Sequence, residues 1–468
     1  LYYCHIDGKL LFASEIKAIL KHKELKREIN YDALSDYLTF RYIPGKDSLL
    51  KNISKLPPAS MLTYKDGTIE IEKYWDVQSN IQHASEDYFI KKIRDTLESS
   101  VKSQMIADVP IGVYLSGGID SSVMTAIMSK HASESLKTFS VGFDVENQEL
   151  SNYINETKYA RSVAEKYNTD HKEIIVSQDI LKILPDVINH LDNPIAFETA
   201  LPLYHLSKLA NKKVKVILTG DGGDELFLGY HRYYDMLLRS RIRKLIPFKE
   251  YLAYNNNQSN LKLMKSVKYV LSDDVSSYLK GFATFSTEDK KELLSQGSKE
   301  LIKDISSVSS ISKNLILNMS ILHSMRYADM QHWLPDFVLT LGDNMSMANS
   351  IESRVPLLDE NLVNLSFTIP DAILAKNGSR EYTKPLFKKA VKDLLPKDVL
   401  ERTKHGFNVP MKAWNDQGFK DIAAKLIESE EAKTLFAPDY LSKLHSSLSS
   451  SQPGKSLRMI KMYSIVMF

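Results

Sequence analysis

The chain has 468 residues, too many for one ordinary domain at roughly 100–200 residues each, so two or three are expected. Lys and Arg number 61 against 58 Asp and Glu, and a balance of +3 leaves no electrostatic footprint for nucleic acid or an anionic membrane. No apolar run reaches ~18 residues, which excludes a spanning helix, and the single cysteine, Cys4, excludes a disulfide framework and points to a reducing cytoplasm.

Residues 1–78 read as β-rich material. "LYYCHIDGKLLFAS" is a hairpin around Asp7-Gly8, and "SMLTYKDGTIEIEKYW" a second around Asp66-Gly67. "SEIKAILKHKEL" between them has helical spacing, with Ile16, Ile19 and Leu20 on one face. The polar "DVQSNIQHASED" reads as a linker. Both ends look cut: the chain starts at Leu1 inside strand-like sequence and stops within the helix-like "MIKMYSIVMF". A fragment of a longer protein is expected.

From residue 79 the pattern changes. "YFIKKIRDTLESSVKSQMI" is amphipathic helix, followed by alternating apolar strands and helices: "VPIGVYLS", "LKTFSVGF", "HKEIIVS" and "VKVILTG" are the strands. This is the signature of an α/β domain with a doubly wound parallel sheet. Past residue 235 the sequence reads mostly as helix, with Ser-rich interruptions at 306–312 and 446–456, the latter expected to be a surface loop.

Two turns carry the chemistry. Ser116-Gly117-Gly118-Ile119-Asp120-Ser121-Ser122 joins a buried strand to a helix. Its glycines let backbone N–H groups converge at the positive end of the helix dipole. The hydroxyls of Ser116, Ser121 and Ser122 are expected to add donors, so the guest is an anion with several oxygens. The turn lacks the Gly-Lys-Ser/Thr ending of the common γ-phosphate loop, so charge neutralisation comes from elsewhere. Asp120 pointed at phosphates needs a hard divalent cation between, which suggests Mg²⁺. The second turn, Asp221-Gly222-Gly223-Asp224-Glu225, also leaves the end of a parallel strand, where open α/β sheets bind ligands. One of its carboxylates can help Asp120 hold the metal.

Together these turns resemble a known family. Ser116–Ser122 is similar to the pyrophosphate loop of the N-type ATP pyrophosphatases, which have an adenine nucleotide α-hydrolase-like fold; Thr219-Gly-Asp-Gly-Gly-Asp-Glu225 narrows the resemblance to the asparagine synthetases. "GYHRY" (229–233), "SMANSIESRVPLLD" (346–359) and "PKDVLERTKHGFNVPMKAW" (396–414) agree, and "LFASEIKAIL" and "LTFRYIPG" resemble the tail of that family's glutaminase domain. The resemblance implies a remnant of an N-terminal-nucleophile glutaminase domain at 1–78 and a synthetase domain at 79–468. It implies adenylation of aspartate by ATP, release of pyrophosphate, and attack by ammonia to give asparagine, the nitrogen coming from glutamine in the full-length protein.

By the same resemblance Asp120 and Asp224 match Mg²⁺ ligands, while Leu115, Val141, Thr219 and Gly220 join Ser116–Ser122 around the nucleotide. Lys404 matches the catalytic lysine: its loss is expected to spare ATP binding and abolish aspartate-dependent pyrophosphate exchange. Asp221 is placed with the catalytic group, as are Glu352 and Arg354, read as a buried ion pair supporting the site. Lys384 matches a basic position of the family, in unusual surroundings. Asp359 reads as a helix N-cap, and Met345 and Met347 as core residues. Cys4 stands inside a strand pattern and cannot be the family's N-terminal glutaminase nucleophile.

The acceptor is less defined. "DNPIAFETALPLYHLSK" (192–208) departs from the family's usual Asp-Pro-Ser run at Phe197-Glu198-Thr199. A surface-polysaccharide sugar acid as acceptor, or a non-catalytic nucleotide-binding scaffold, are the alternatives. Expected partners are small molecules: aspartate, ATP, and ammonia or glutamine. Oligomeric state is not legible in the sequence, and a homodimer stays open.

Overall fold

The computed structural model describes residues 1–146, 148–245, 275–302, 319–403, 406, 409–411, 417–448 and 455–468. The Ser-rich stretch 306–312 lies outside the described residues, as does most of 446–456.

The N-terminal hairpin forms as expected. β1 (Tyr2–Ile6) pairs antiparallel with β2 (Lys9–Ala13), with Cys4 opposite Leu11. Asp7 and Gly8 both take positive φ, 49° and 70°, the turn that matches the strands' right-handed twist. The helical pattern that follows yields only α1 (Ile16–Ile19), a single turn whose Ile16 and Ile19 are buried. α2 (Tyr31–Phe40) is capped by Asn30, and β3 (Ser54–Lys55) adds to β1. β4 (Ser60–Lys65) and β5 (Thr68–Lys73) form the second hairpin around Asp66-Gly67, again with positive φ at both turn residues.

Residues 74–85 are irregular, and α3 (Glu86–Gln104) begins at Ser85, whose side chain accepts from the Tyr88 N–H. Phe89, Ile93, Leu97 and Val101 recur at i, i+4, i+8 and i+12 and are fully buried.

A five-stranded all-parallel sheet follows. It contains β6 (Ile111–Tyr114), β7 (Lys137–Phe143), β8 (Asp170–Val176), β9 (Val216–Leu218) and β10 (Glu352–Arg354), in the order β10-β9-β6-β7-β8. The first four strands are those expected from the sequence; β10 is an addition, three polar residues lying parallel to β9.

The intervening helices are α4 (Ile119–His131), α5 (Gln148–Ile154), α6 (Thr157–Lys166), α7 (Leu184–Leu191), α8 (Ala200–Ala210) and α9 (Gly223–Phe227). One sheet face packs Val113, Val216 and Leu218 into the main core with α4 and α6 residues. The other packs Phe139 and Ile217 with Leu206 and Ala210 of α8 in a separate cluster. Apolar contacts on both faces explain why β6, β7 and β9 read as largely hydrophobic runs, while β8 at the sheet's edge carries Asp170, His171, Lys172 and Glu173.

Chain order reverses across β6. The chain moves one way to β7 and β8, then returns to place β9 on β6's other side. The carboxyl ends of β6 and β9 therefore flank the crevice where a doubly wound sheet takes its ligand. Beyond the sheet the chain is helical, including Ile321–Ala328, Pro385–Val391 and an 11-residue π-helical stretch, Asp329–Leu339, that contains Pro335. The N-terminal segment rests on this part. Asp336 accepts from the Gly45 N–H at 2.6 Å and from Lys55 Nζ at 2.7 Å, and Arg41 donates to Glu198 at 3.0 Å while stacking on Phe197. Among the described residues no helix is long and apolar enough to cross a membrane.

Candidate active site

The first turn is built largely by its own hydroxyls. Ser121 Oγ accepts from the Ser116 N–H at 3.1 Å and lies 3.2 Å from the Gly118 carbonyl, to which it donates. Ser116 Oγ accepts from the Gly118 N–H at 3.2 Å and sits 3.0 Å from Ser121 Oγ. Ser122 is fully buried at the start of α4, with no hydrogen-bond partner for its hydroxyl among the described residues. Ser116 and Ser121 thus help to shape the turn.

Beside these hydroxyls lies the start of α4, where the N-cap Gly118 offers no side-chain acceptor to the first-turn N–H groups. Gly117 holds φ at +75°, and a Cβ there would lie 2.7 Å from both the Ala160 nitrogen and the Tyr159 Cβ, so the turn is pressed against the start of α6. Leu115 is buried, and its carbonyl accepts from Ser140 Oγ. Val141 stands past the end of β6, on the overhanging end of β7.

The second turn touches the first directly. A Cβ on Gly220 would come within 2.6 Å of the Asp120 Cβ and 2.8 Å of the Ser121 nitrogen, and Gly223 packs against the Asp120 carboxylate. Thr219 Oγ1 donates to Asp221 Oδ2 at 2.7 Å. Burial pushes the Asp221 carboxyl above the usual carboxylate range against that bond, with Asp120 and Asp224 adding repulsion. Glu225 is buried deeper and pushed up to about 7 by desolvation and by Asp224, while Tyr230 donates to it at 2.7 Å. α9, which carries this turn, is only five residues long. The fully buried Arg326 holds its end, donating to the carbonyls of Glu225 at 3.0 Å and Leu226 at 2.8 Å.

Asp120 and Asp224 meet on one cation. Lys384 Nζ lies 2.5 Å from Asp120 Oδ2 and 2.6 Å from Asp224 Oδ1, with the lysine side chain 3% exposed. Burial works against the ammonium, but the two carboxylates outweigh it and hold its pKa above the usual lysine value. The backbone accepts a cost for this placement. Lys384 precedes Pro385 yet sits at φ 56°, ψ 44°, a left-handed conformation that non-glycine residues avoid. Its N–H is held by the Leu228 carbonyl at 3.3 Å. Gly229 makes room: a Cβ there would collide with the Asp224 carboxylate and lie 2.5 Å from the Lys384 Cε.

A third segment reaches the same place. Arg402, buried at 6% side-chain exposure, is ion-paired with Glu156, donates to the Gly117 carbonyl at 3.1 Å and stacks on the Tyr159 ring. Desolvation lowers its pKa to about 10. Lys404, two residues on, lies outside the described residues.

The structure thus brings together Leu115 to Ser121, Val141, Thr219 to Asp221 and Asp224. It does not bring Glu352 and Arg354 to them as a buried pair. Arg354 Nε does contact Glu352 Oε1 at 2.6 Å, but Glu352 is 58% exposed, and the Arg354 guanidinium caps the end of α3 through the carbonyls of Gln104 and Ile106. Asp359 is an N-cap, accepting from the Asn361 N–H at 2.9 Å. Met345 is fully buried, whereas Met347 is 52% exposed. Lys384, Gly229 and Arg402 are the positions that sequence reasoning underweighted.

Two facing turns, an acidic pair and the ordered motifs agree with the comparisons to known proteins. The family model for asparagine synthase matches residues 92–468. The chain belongs to the asparagine synthase family. Membership places it among ATP-using carbon–nitrogen ligases. A glutamine amidotransferase domain model matches residues 1–75.

Asparagine synthetase [glutamine-hydrolyzing] 1 of Bacillus subtilis is 31% identical over 454 residues, covering 95% of this chain and 69% of the relative. A putative asparagine synthetase of Mycobacterium tuberculosis is 29% identical, covering 87% of this chain and 62% of the relative. The amidase chyE of Penicillium rubens is 25% identical, covering 94% and 70%.

Proposed function

We propose that the chain activates the side-chain carboxylate of aspartate with ATP, releasing pyrophosphate, and that ammonia then displaces AMP to give asparagine. A carboxylate resists attack by an amine until one oxygen becomes a leaving group, and adenylation supplies that. The observation that carries the reading is the convergence of Asp120 and Asp224, from turns after adjacent parallel strands, beside the exposed start of α4.

The acidic pair fits a divalent cation. Its donors are hard oxygens, and the buried Oδ1 of Asp120 has no hydrogen-bond partner among the described residues. No cluster of three His, Cys, Asp or Glu side chains suited to a metal occurs among the described residues, so phosphate oxygens and water would complete the coordination, as is usual for Mg²⁺. The ion would supply charge neutralisation to the departing pyrophosphate. The remaining work falls to the protein: the start of α4 orients the anion, Arg402 fixes the turn, and Lys384 brings a buried positive charge to the phosphates. Lys404 is the proposed lysine on the α-phosphate.

Cys4 is buried in β1 at 1% exposure, and the attacking nitrogen is taken to be ammonia. In a longer protein it would come from glutamine.

A second reading keeps the chemistry and changes the acceptor. Phe197 and Glu198, which depart from the family's usual run, face Phe337 and Arg41, and one similar protein is named an amidase. The test for both is pyrophosphate release with ATP, Mg²⁺ and ammonia across a panel of carboxylic acids. Aspartate as the one good acceptor supports the proposal; activity confined to a uronic acid supports the second reading; silence with every acid rejects both.

A further inference from the structure

Lys384 stands where a cation bound by Asp120 and Asp224 would stand. Its ammonium lies 2.5 and 2.6 Å from one oxygen of each carboxylate, while Mg²⁺ would need oxygens at about 2.1 Å. The ammonium and a divalent ion cannot share that space. At such separation, in a site walled by Gly220, Gly223 and Gly229, two cations repel strongly.

The placement is built in. Lys384 is held in a left-handed backbone conformation by the Leu228 carbonyl, and Leu228 is itself at φ 63°. The Tyr234 hydroxyl also donates to the Leu228 carbonyl, at 3.2 Å. Strain of this kind persists only where the surroundings fix it.

We infer that Lys384 serves as a resident counter-ion that excludes free divalent cations from the Asp120–Asp224 pair until nucleotide arrives. On this view the metal enters only together with phosphates, because they give the displaced ammonium new oxygen acceptors. The chain is then selective for the metal–nucleotide complex over either component. This rests on the reading of Asp120 and Asp224 as metal ligands and adds to it the order of binding.

The test uses the 468-residue chain and Mn²⁺ as probe, with free Mn²⁺ followed by its solution electron paramagnetic resonance signal. Without nucleotide the unaltered chain should leave Mn²⁺ in solution, and with α,β-methylene-ATP it should take up the ion. Lys384→Met and the more polar Lys384→Gln should take up Mn²⁺ without nucleotide, on the order of a hundredfold more tightly than the unaltered chain. Mn²⁺ should also raise the melting temperature of these variants and leave that of the unaltered chain in place.

Nucleotide-free uptake by the unaltered chain, as tight as by the variants, overturns the inference and needs no variant to fold. Variants that neither bind Mn²⁺ nor recover stability with it overturn it too. Failure of the underlying reading looks different: uptake with α,β-methylene-ATP would then survive Asp120→Asn.

Discussion

Arg402 donates to the carbonyl oxygen of Gly117 at 3.1 Å while ion-paired with Glu156. This fastens the segment that leads into Lys404 to the turn expected to cradle pyrophosphate. Arg402→Ala leaves the Glu156 carboxylate half-buried without its cation, which should cost about 2–4 kcal/mol of stability. It should also raise the KM for ATP roughly tenfold by loosening the turn. Arg402→Lys should restore part of the stability and less of the KM, since an ammonium lacks the planar fork that reaches Glu156 and the Gly117 carbonyl while stacking on Tyr159. Denaturant melts and initial rates check this, and an unchanged KM in Arg402→Ala would remove the positioning role.

Gly229 is needed for what it lacks. A methyl group there overlaps the Asp224 carboxylate and crowds the Lys384 stem, so Gly229→Ala should push the acidic pair apart. The expected cost is about 1–3 kcal/mol of stability and on the order of a hundredfold in turnover. An active, unchanged Gly229→Ala enzyme would mean that this geometry is not the working one.

Lys388 gives a pH-dependent signature. Burial, with repulsion from Lys384 added, lowers its pKa to about 8, from 10.5. The folded state therefore binds fewer protons than the unfolded chain between these values, so this group's destabilising contribution is full below pH 8 and fades as pH rises towards 10.5. Lys388→Met should be more stable than the unaltered chain at pH 7, by on the order of 1–2 kcal/mol, since the Tyr382 ring face already offsets part of the burial. The gap should close between pH 8 and 10. Melting curves across that range decide it, and a gap that widens with pH contradicts the assignment.

The exposed Glu352 should matter little. Glu352→Ala is expected to change stability by less than about 0.5 kcal/mol and to leave pyrophosphate exchange intact. Arg354→Ala should cost about 1–2 kcal/mol by stranding the last carbonyls of α3, with KM values unchanged. A large loss of exchange in Glu352→Ala would return that residue to the active site.

The contrast between Glu352 and Lys384 shows what the sequence makes legible. Strands β6, β7 and β9 are largely apolar and announce themselves, as do the Asp-Gly hairpin turns, because local chemistry dictates them. β10 does not: three residues with two charges form a strand only because β9 has an unfilled edge. The motif around Glu352 points towards the site, yet its side chain is 58% exposed. Lys384 lies 264 residues from Asp120, and no spacing rule joins them. Only the tertiary fold places its ammonium between two carboxylates.

On the proposed function, the paired turns, with Asp120 and Asp224, grip ATP for adenylation of a carboxylic acid. Exchange of labelled pyrophosphate into ATP tests it most directly, with purified chain, Mg²⁺ and aspartate. The expected results are aspartate-dependent exchange, AMP as the product once ammonia is added, and loss of exchange in Asp120→Asn. Formation of ADP and orthophosphate, or exchange undiminished in Asp120→Asn, would contradict it.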